Sequence, residues 1–93
     1  MLHIEITDEA LARTRRMMAN ARSDEVAYVV KYKPKPRCEG YQLRLSRQTY
    51  RTGDETCEGG GVTFSIVENV VMEHGWHYLV FLDATGQPKA CVI

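Results

Sequence analysis

One stripe of apolar residues at helical spacing, near the start of the chain, is followed by segments in which the apolar positions mostly alternate. Ala10, Leu11, Thr14, Met17, Met18 and Ala21 recur at steps of three and four, which predicts an amphipathic helix from Asp8 to about Arg22. Thr7 is its natural N-cap, and Asp8 and Glu9 sit in the first turn, where the helix dipole favours acids. Ahead of it, Leu2 to Ile6 alternates as a short half-buried strand should. A chain of 93 residues, 44% hydrophobic, has room for one compact core, so residues 1–93 are read as a single domain.

After the helix, strand patterns dominate. Ala27 to Lys33, Tyr41 to Ser46, Val62 to Val67, His77 to Leu82 and Lys89 to Ile93 all read as strands. Residues 51–61, with Gly53-Asp54 and Gly59-Gly60-Gly61, read as a mobile polar connection. Val70-Val71-Met72 fits either a helical turn or a strand, Gly75 marks a turn, and Asp83 to Pro88 reads as another. The expected class is α+β, rich in strands, with one substantial N-terminal helix packed on short mixed sheets.

Twelve basic and twelve acidic residues give a formal net charge of zero. That balance disfavours nucleic-acid binding through a strong overall positive field and permits self-association. No apolar run reaches the roughly 18 residues of a membrane span, and Met1 to Glu5 lacks the features of a signal peptide. A cytoplasmic location is expected, where the three cysteines stay reduced; an odd count argues for free thiols or ligands over paired disulfides.

Cys38 lies in Pro34-Lys35-Pro36-Arg37-Cys38-Glu39-Gly40-Tyr41, between two predicted strands. A loop thiol with Gly40 two residues on is open to a metal or an electrophile, and Lys33, Lys35 and Arg37 would favour its thiolate. Cys91, between Ala90 and Val92, is either a ligand or a small packed hydrophobe. Cys57 lies among Asp54, Glu55, Glu58 and three glycines and reads as an exposed spectator whose pKa those acids raise. His74 and His77 form a His-x-x-His pair that suits zinc or iron only if the two rings converge; His3 reads as bland. Trp76, Tyr78 and Phe81 read as core or interface. Lys31, Lys33 and Arg44 would share a face of a hairpin and form a docking patch for an acidic partner. Tyr28, Tyr32 and Tyr41 interleave with these bases, which makes single-stranded nucleic acid conceivable, though unsupported by the charge balance. No Ser/His/Asp signature, phosphate-cradling loop or dinucleotide fingerprint is present.

Three segments together resemble the HesB-like, or A-type iron–sulfur carrier, family. They are Ile4-Glu5-Ile6-Thr7-Asp8-Glu9-Ala10-Leu11, Cys38-Glu39-Gly40-Tyr41, and Gly53-Asp54 followed by Gly61-Val62-Thr63-Phe64-Ser65-Ile66. The chain departs from that family at Arg37, where a glycine is usual, at Glu39, where a small residue is usual, and in lacking the C-terminal Cys-Gly-Cys. The resemblance implies a HesB-like domain, a homodimer, and transient binding of iron or an iron–sulfur cluster for delivery to apo-proteins, with no enzymatic turnover. Clusters usually take four thiolates, so Cys38 and Cys91 from each of two chains would be the ligand set it implies. A relative that has lost its cluster and serves as a protein-interaction module is the alternative, and a thiol enzyme the third.

Overall fold

The computed structural model describes residues 1–32 and 42–93. Among these described residues, seven strands and two helices follow in the order β1 (His3–Ile6), α1 (Asp8–Met18), β2 (Glu25–Tyr32), β3 (Gln42–Thr49), β4 (Thr56–Gly59), β5 (Val62–Ile66), α2 (Glu68–His74), β6 (His77–Leu82) and β7 (Pro88–Val92). The α+β class holds, but the strands form one mixed sheet in the order β1-β6-β7-β3-β2-β5-β4 instead of several short ones. β1 runs parallel to β6 and β2 parallel to β5; the remaining neighbours are antiparallel.

The sheet curls toward a barrel. Its two edge strands approach each other: the Leu2 N–H donates to a Glu55 carboxylate oxygen at 2.7 Å, and the Cys57 sulfur is hydrogen-bonded to the Ile4 backbone. A sheet closed in this way presents little free edge for unwanted pairing. Its concave side holds the core, built from Ala27, Val29, Leu43, Leu45, Phe64, Ile66, Tyr78 and Val80, with Ala10 of α1 and Val70 of α2.

α1 begins as its sequence predicts. The Thr7 side chain accepts from the Ala10 N–H at 3.2 Å, and Asp8 and Glu9 occupy the first turn. It ends at Met18, a turn earlier than the apolar stripe suggests. Arg22 explains the early stop: its N–H donates to Glu25 at 2.9 Å, and its guanidinium pairs with Asp24 and Glu25, so the chain turns directly into β2. Thr14, fully buried, satisfies its hydroxyl on the Ala10 carbonyl at 2.7 Å. The ambiguous Val70-Val71-Met72 run belongs to α2, whose Val70 is fully buried while Met72 faces solvent.

The segment read as a mobile connection is instead pinned. Thr56–Gly59 pairs with Val62–Ile66 as a hairpin, closed by Gly60 and Gly61 at φ +57° and +82°. Two consecutive positive φ values are what such a two-residue turn requires, and glycine supplies them without strain. Before the hairpin, the chain is tied to the fully buried Tyr28. The Tyr28 hydroxyl donates to Asp54 at 2.7 Å and accepts from the Arg51 N–H at 2.8 Å, while Tyr50 donates to the Asp54 carbonyl at 2.9 Å. Burial raises the Tyr28 pKa above its ordinary value, and Asp54 raises it further against the lowering effect of the Arg51 N–H. The phenol therefore stays protonated and remains a donor to Asp54. The polar residues of this segment read as solvent-facing because sequence does not show that a buried phenol is available to receive them.

Replacing Tyr28 with Phe leaves the Asp54 carboxylate and the Arg51 N–H without this partner. A loss of about 1–3 kcal/mol in unfolding free energy is expected. Urea denaturation of the two proteins at neutral pH measures it, and an unchanged midpoint would show that the network contributes nothing.

Candidate functional site

β7 sits at the middle of the sheet, between β6 and β3. On it, Ala90 is buried in the core face, while Lys89 and Cys91 are half-buried on the opposite, outer face. The alternation follows from the two-residue period of a strand. Register places Leu79 across from Cys91 and Phe81 across from Lys89. On the other side, Arg44 pairs with Lys89 and Leu43 with Ala90. Continuing that register by one residue brings Gln42, the first residue of β3, opposite Cys91.

An open cleft of about 380 Å³ surrounds this position, lined in part by Leu43, His74, Phe81, Asp83, Lys89 and Cys91. Its electrostatics are set by two groups. The Lys89 ammonium lies 4.0 Å from the Tyr32 ring centroid and 3.8 Å from Asp83. Asp83 is held below its ordinary pKa by the Thr85 hydroxyl first, then by the Gln87 and Thr85 N–H groups and the Lys89 charge. The expected turn between β6 and β7 is present, and those bonds make it of the Asx type, with Thr85 Oγ1 at 2.7 Å and Gln87 N at 3.0 Å from Asp83 Oδ1. The wall of the cleft is thus a rigid hairpin carrying a cation two residues from the Cys91 thiol.

Cys38 lies outside the described residues, as do Lys33, Lys35, Arg37 and Tyr41.

Cys57 is not an exposed spectator. It is half-buried on β4, across from Phe64, and packs against the core. Its pKa is raised, but by burial and not by the neighbouring acids; the Ile4 backbone hydrogen bond only partly opposes this. His74 and His77 have different neighbours. His74 lines the cleft and lies 3.6 Å from Glu73, whereas His77 starts β6 with its ring against His3, centroids 5.3 Å apart. Among the described residues, no three His, Cys, Asp or Glu side chains already converge as a metal-binding group.

The register separates the two described members of the expected basic patch, Lys33 lying outside the described residues. Lys31 pairs with Leu43, and Arg44 pairs with Val30, so Lys31 and Arg44 lie on opposite faces of the hairpin. Lys31 is hydrogen-bonded to Glu73 of α2, and Arg47 is spent on the Met17 carbonyl and on Glu25. Arg44 lies over the Tyr32 ring at 5.1 Å. Tyr28, fully buried, cannot offer its ring to a nucleobase. Of the aromatic residues read as core or interface, Tyr78 is fully buried, Trp76 packs against the core and Phe81 lines the cleft. Sequence reading missed Lys89 and Asp83 at the cleft. The spacing of Lys89 and Cys91 on one strand was a usable signal for the first; nothing local announced that Tyr32 would lie beneath Lys89.

No family model matches the chain, and no curated protein matches it in sequence. Among solved structures, the fold is similar to that of an Aquifex aeolicus protein determined by solution NMR as a Northeast Structural Genomics Consortium target. The TM-score is 0.65 at 18% sequence identity, covering 96% of this chain and 89% of that one. The likeness is one of fold. No helix among the described residues is long and apolar enough to cross a membrane.

The environments of the two described thiols differ enough to separate their reactivity. Under timed alkylation of the native protein, Cys57 is expected to react about tenfold more slowly than Cys91, with the difference vanishing in denaturant. Peptide mass spectrometry reads both rates; equal native rates would contradict the assignment of Cys57 to the core.

Proposed function

We propose that this chain is a HesB-like carrier that binds iron or an iron–sulfur cluster through Cys38 and Cys91 and passes it to acceptor proteins. The observation that carries the reading is the position of Cys91. It is half-buried on the outer face of β7, borders an open cleft and lies beside the first residue of β3. The resemblance of the Cys38 segment and of the opening Thr7-Asp8 helix start to that family supplies the cargo chemistry.

The cargo sets the assembly. One chain supplies two thiolates at this site, and a cluster usually takes four, so the carrier works as a homodimer with Cys38 and Cys91 of each chain around a shared cluster. Ligand exchange, with no covalent turnover of the protein, releases the cargo. Lys89, two residues from Cys91 on the same face, offsets the negative charge that gathers when thiolates bind. Cys57 contributes no ligand, being engaged with the core and the Ile4 backbone.

A second reading is a cluster-free protein-interaction module. It is favoured by the apolar surroundings of Cys91: Leu79 and Phe81 are half-exposed on the outer face of β6, and Val92 is 48% exposed.

Anaerobic reconstitution with ferrous iron and sulfide separates the two. The carrier reading expects visible absorption bands of a cluster in the wild type, their loss in Cys38→Ser and in Cys91→Ser, and their retention in Cys57→Ala. No bands in the folded wild-type protein would overturn it and leave the interaction module standing.

A further inference from the structure

His3 and His77 are the first residues of two neighbouring parallel strands and stand directly opposite each other in the register. The residues that follow them, Ile4 and Tyr78, turn toward the core, so both imidazoles project from the outer face. His3 is 53% exposed in its side chain, and His77 is likewise exposed. Their ring centroids are 5.3 Å apart with 35° between the planes. Glu5, two residues along β1 and therefore on the same face, has Oε1 3.7 Å from His3 Nε2.

We infer that His3 and His77 form a surface clamp for a single divalent transition-metal ion of the zinc type, with Glu5 as the adjoining carboxylate. The spacing is what such an ion needs. Two imidazoles bound to zinc through nitrogens at about 2.0–2.1 Å, at a tetrahedral angle, bring their centroids to about 5.2 Å. The separation here is 5.3 Å. A nitrogen and a carboxylate oxygen on the same ion stand about 3.4 Å apart, a few tenths of an ångström less than the His3–Glu5 gap. Exposure makes that adjustment small, because neither imidazole has to leave a packed environment. The backbones are held more firmly than the side chains. β1 is paired along its length with β6, and the His3 N–H donates to the Trp76 carbonyl at 2.8 Å. The clamp is therefore preorganised at the main chain and adjusts only at χ angles.

Imidazole donors suit zinc, copper and nickel. The three groups are not already converged, so binding in the micromolar range is expected, weaker than at a buried structural zinc site. This site is independent of the thiol site: it lies at β1 and β6, uses nitrogen donors and needs no second chain.

The test uses the full chain carrying Cys38→Ser, Cys57→Ala and Cys91→Ser, which removes thiol competition. Zinc chloride alone is titrated in while the imidazole signals of His3, His74 and His77 are followed by NMR. The inference expects the His3 and His77 signals to shift together and saturate at one zinc per chain, with His74 unmoved. His3→Ala and His77→Ala should each weaken binding at least about tenfold while leaving the amide spectrum elsewhere unchanged; two nitrogen ligands acting as a chelate predict that loss from either one. Glu5→Gln should weaken it by a smaller factor. Saturable binding that survives both alanine variants, a shift of only one of the two rings, or no saturation at millimolar zinc would each overturn it.

Discussion

The pairing of β3 with β7 holds the sheet together. β1, β6 and β7 form one side; β3, β2, β5 and β4 form the other; Leu43 with Ala90 and Arg44 with Lys89 join them. Side chains on both faces support that ladder. On the inner face, Leu43 and Ala90 are both in the core. On the outer face, the Lys89 ammonium and the Arg44 guanidinium both lie over the Tyr32 ring, at 4.0 and 5.1 Å. Cation–aromatic contacts at partly exposed sites contribute about 0.5–1 kcal/mol each, which is small beside core burial but well placed to fix register. A slip of one residue at this junction would exchange the two faces of β7, moving Cys91 into the core and Ala90 out.

That dependence explains which parts of the protein could be read from the sequence. α1, β1, β5 and β6 follow from local pattern: the Thr7 cap, the alternation of Leu2 to Ile6, the apolar run into Leu82. β4 did not, because Thr56-Cys57-Glu58-Gly59 carries little strand propensity and becomes a strand only by pairing with β5 and lying against β1. The same holds for Asp54, whose partner Tyr28 is distant in sequence. Pairing also decided the basic residues. Lys31 and Arg44 share a hairpin, but they are offset by one position, and one position is enough to put them on opposite faces.

The candidate sites were legible to different degrees. Cys91 could be placed on a strand, and its partition between core and outer face could then be guessed from alternation. The neighbours of the thiol could not be, since Leu79 and Phe81 come from β6 and the start of β3 from the other half of the sheet. For His77, the sequence offered His74 as a companion at short range, yet strand pairing gave it His3, the residue farthest from it in that set. Short-range spacing was a poor guide wherever a parallel crossover intervened, as it does between β1 and β6.

The proposed carrier role requires the Cys38 and Cys91 thiols to meet, in one chain or across two. A chain carrying Cys57→Ala, treated under native conditions with a short bifunctional maleimide, tests it directly. Cys38 and Cys91 peptides joined to each other in the digest are predicted. Native protein in which both thiols are modified but never joined, within a chain or between two, would contradict it.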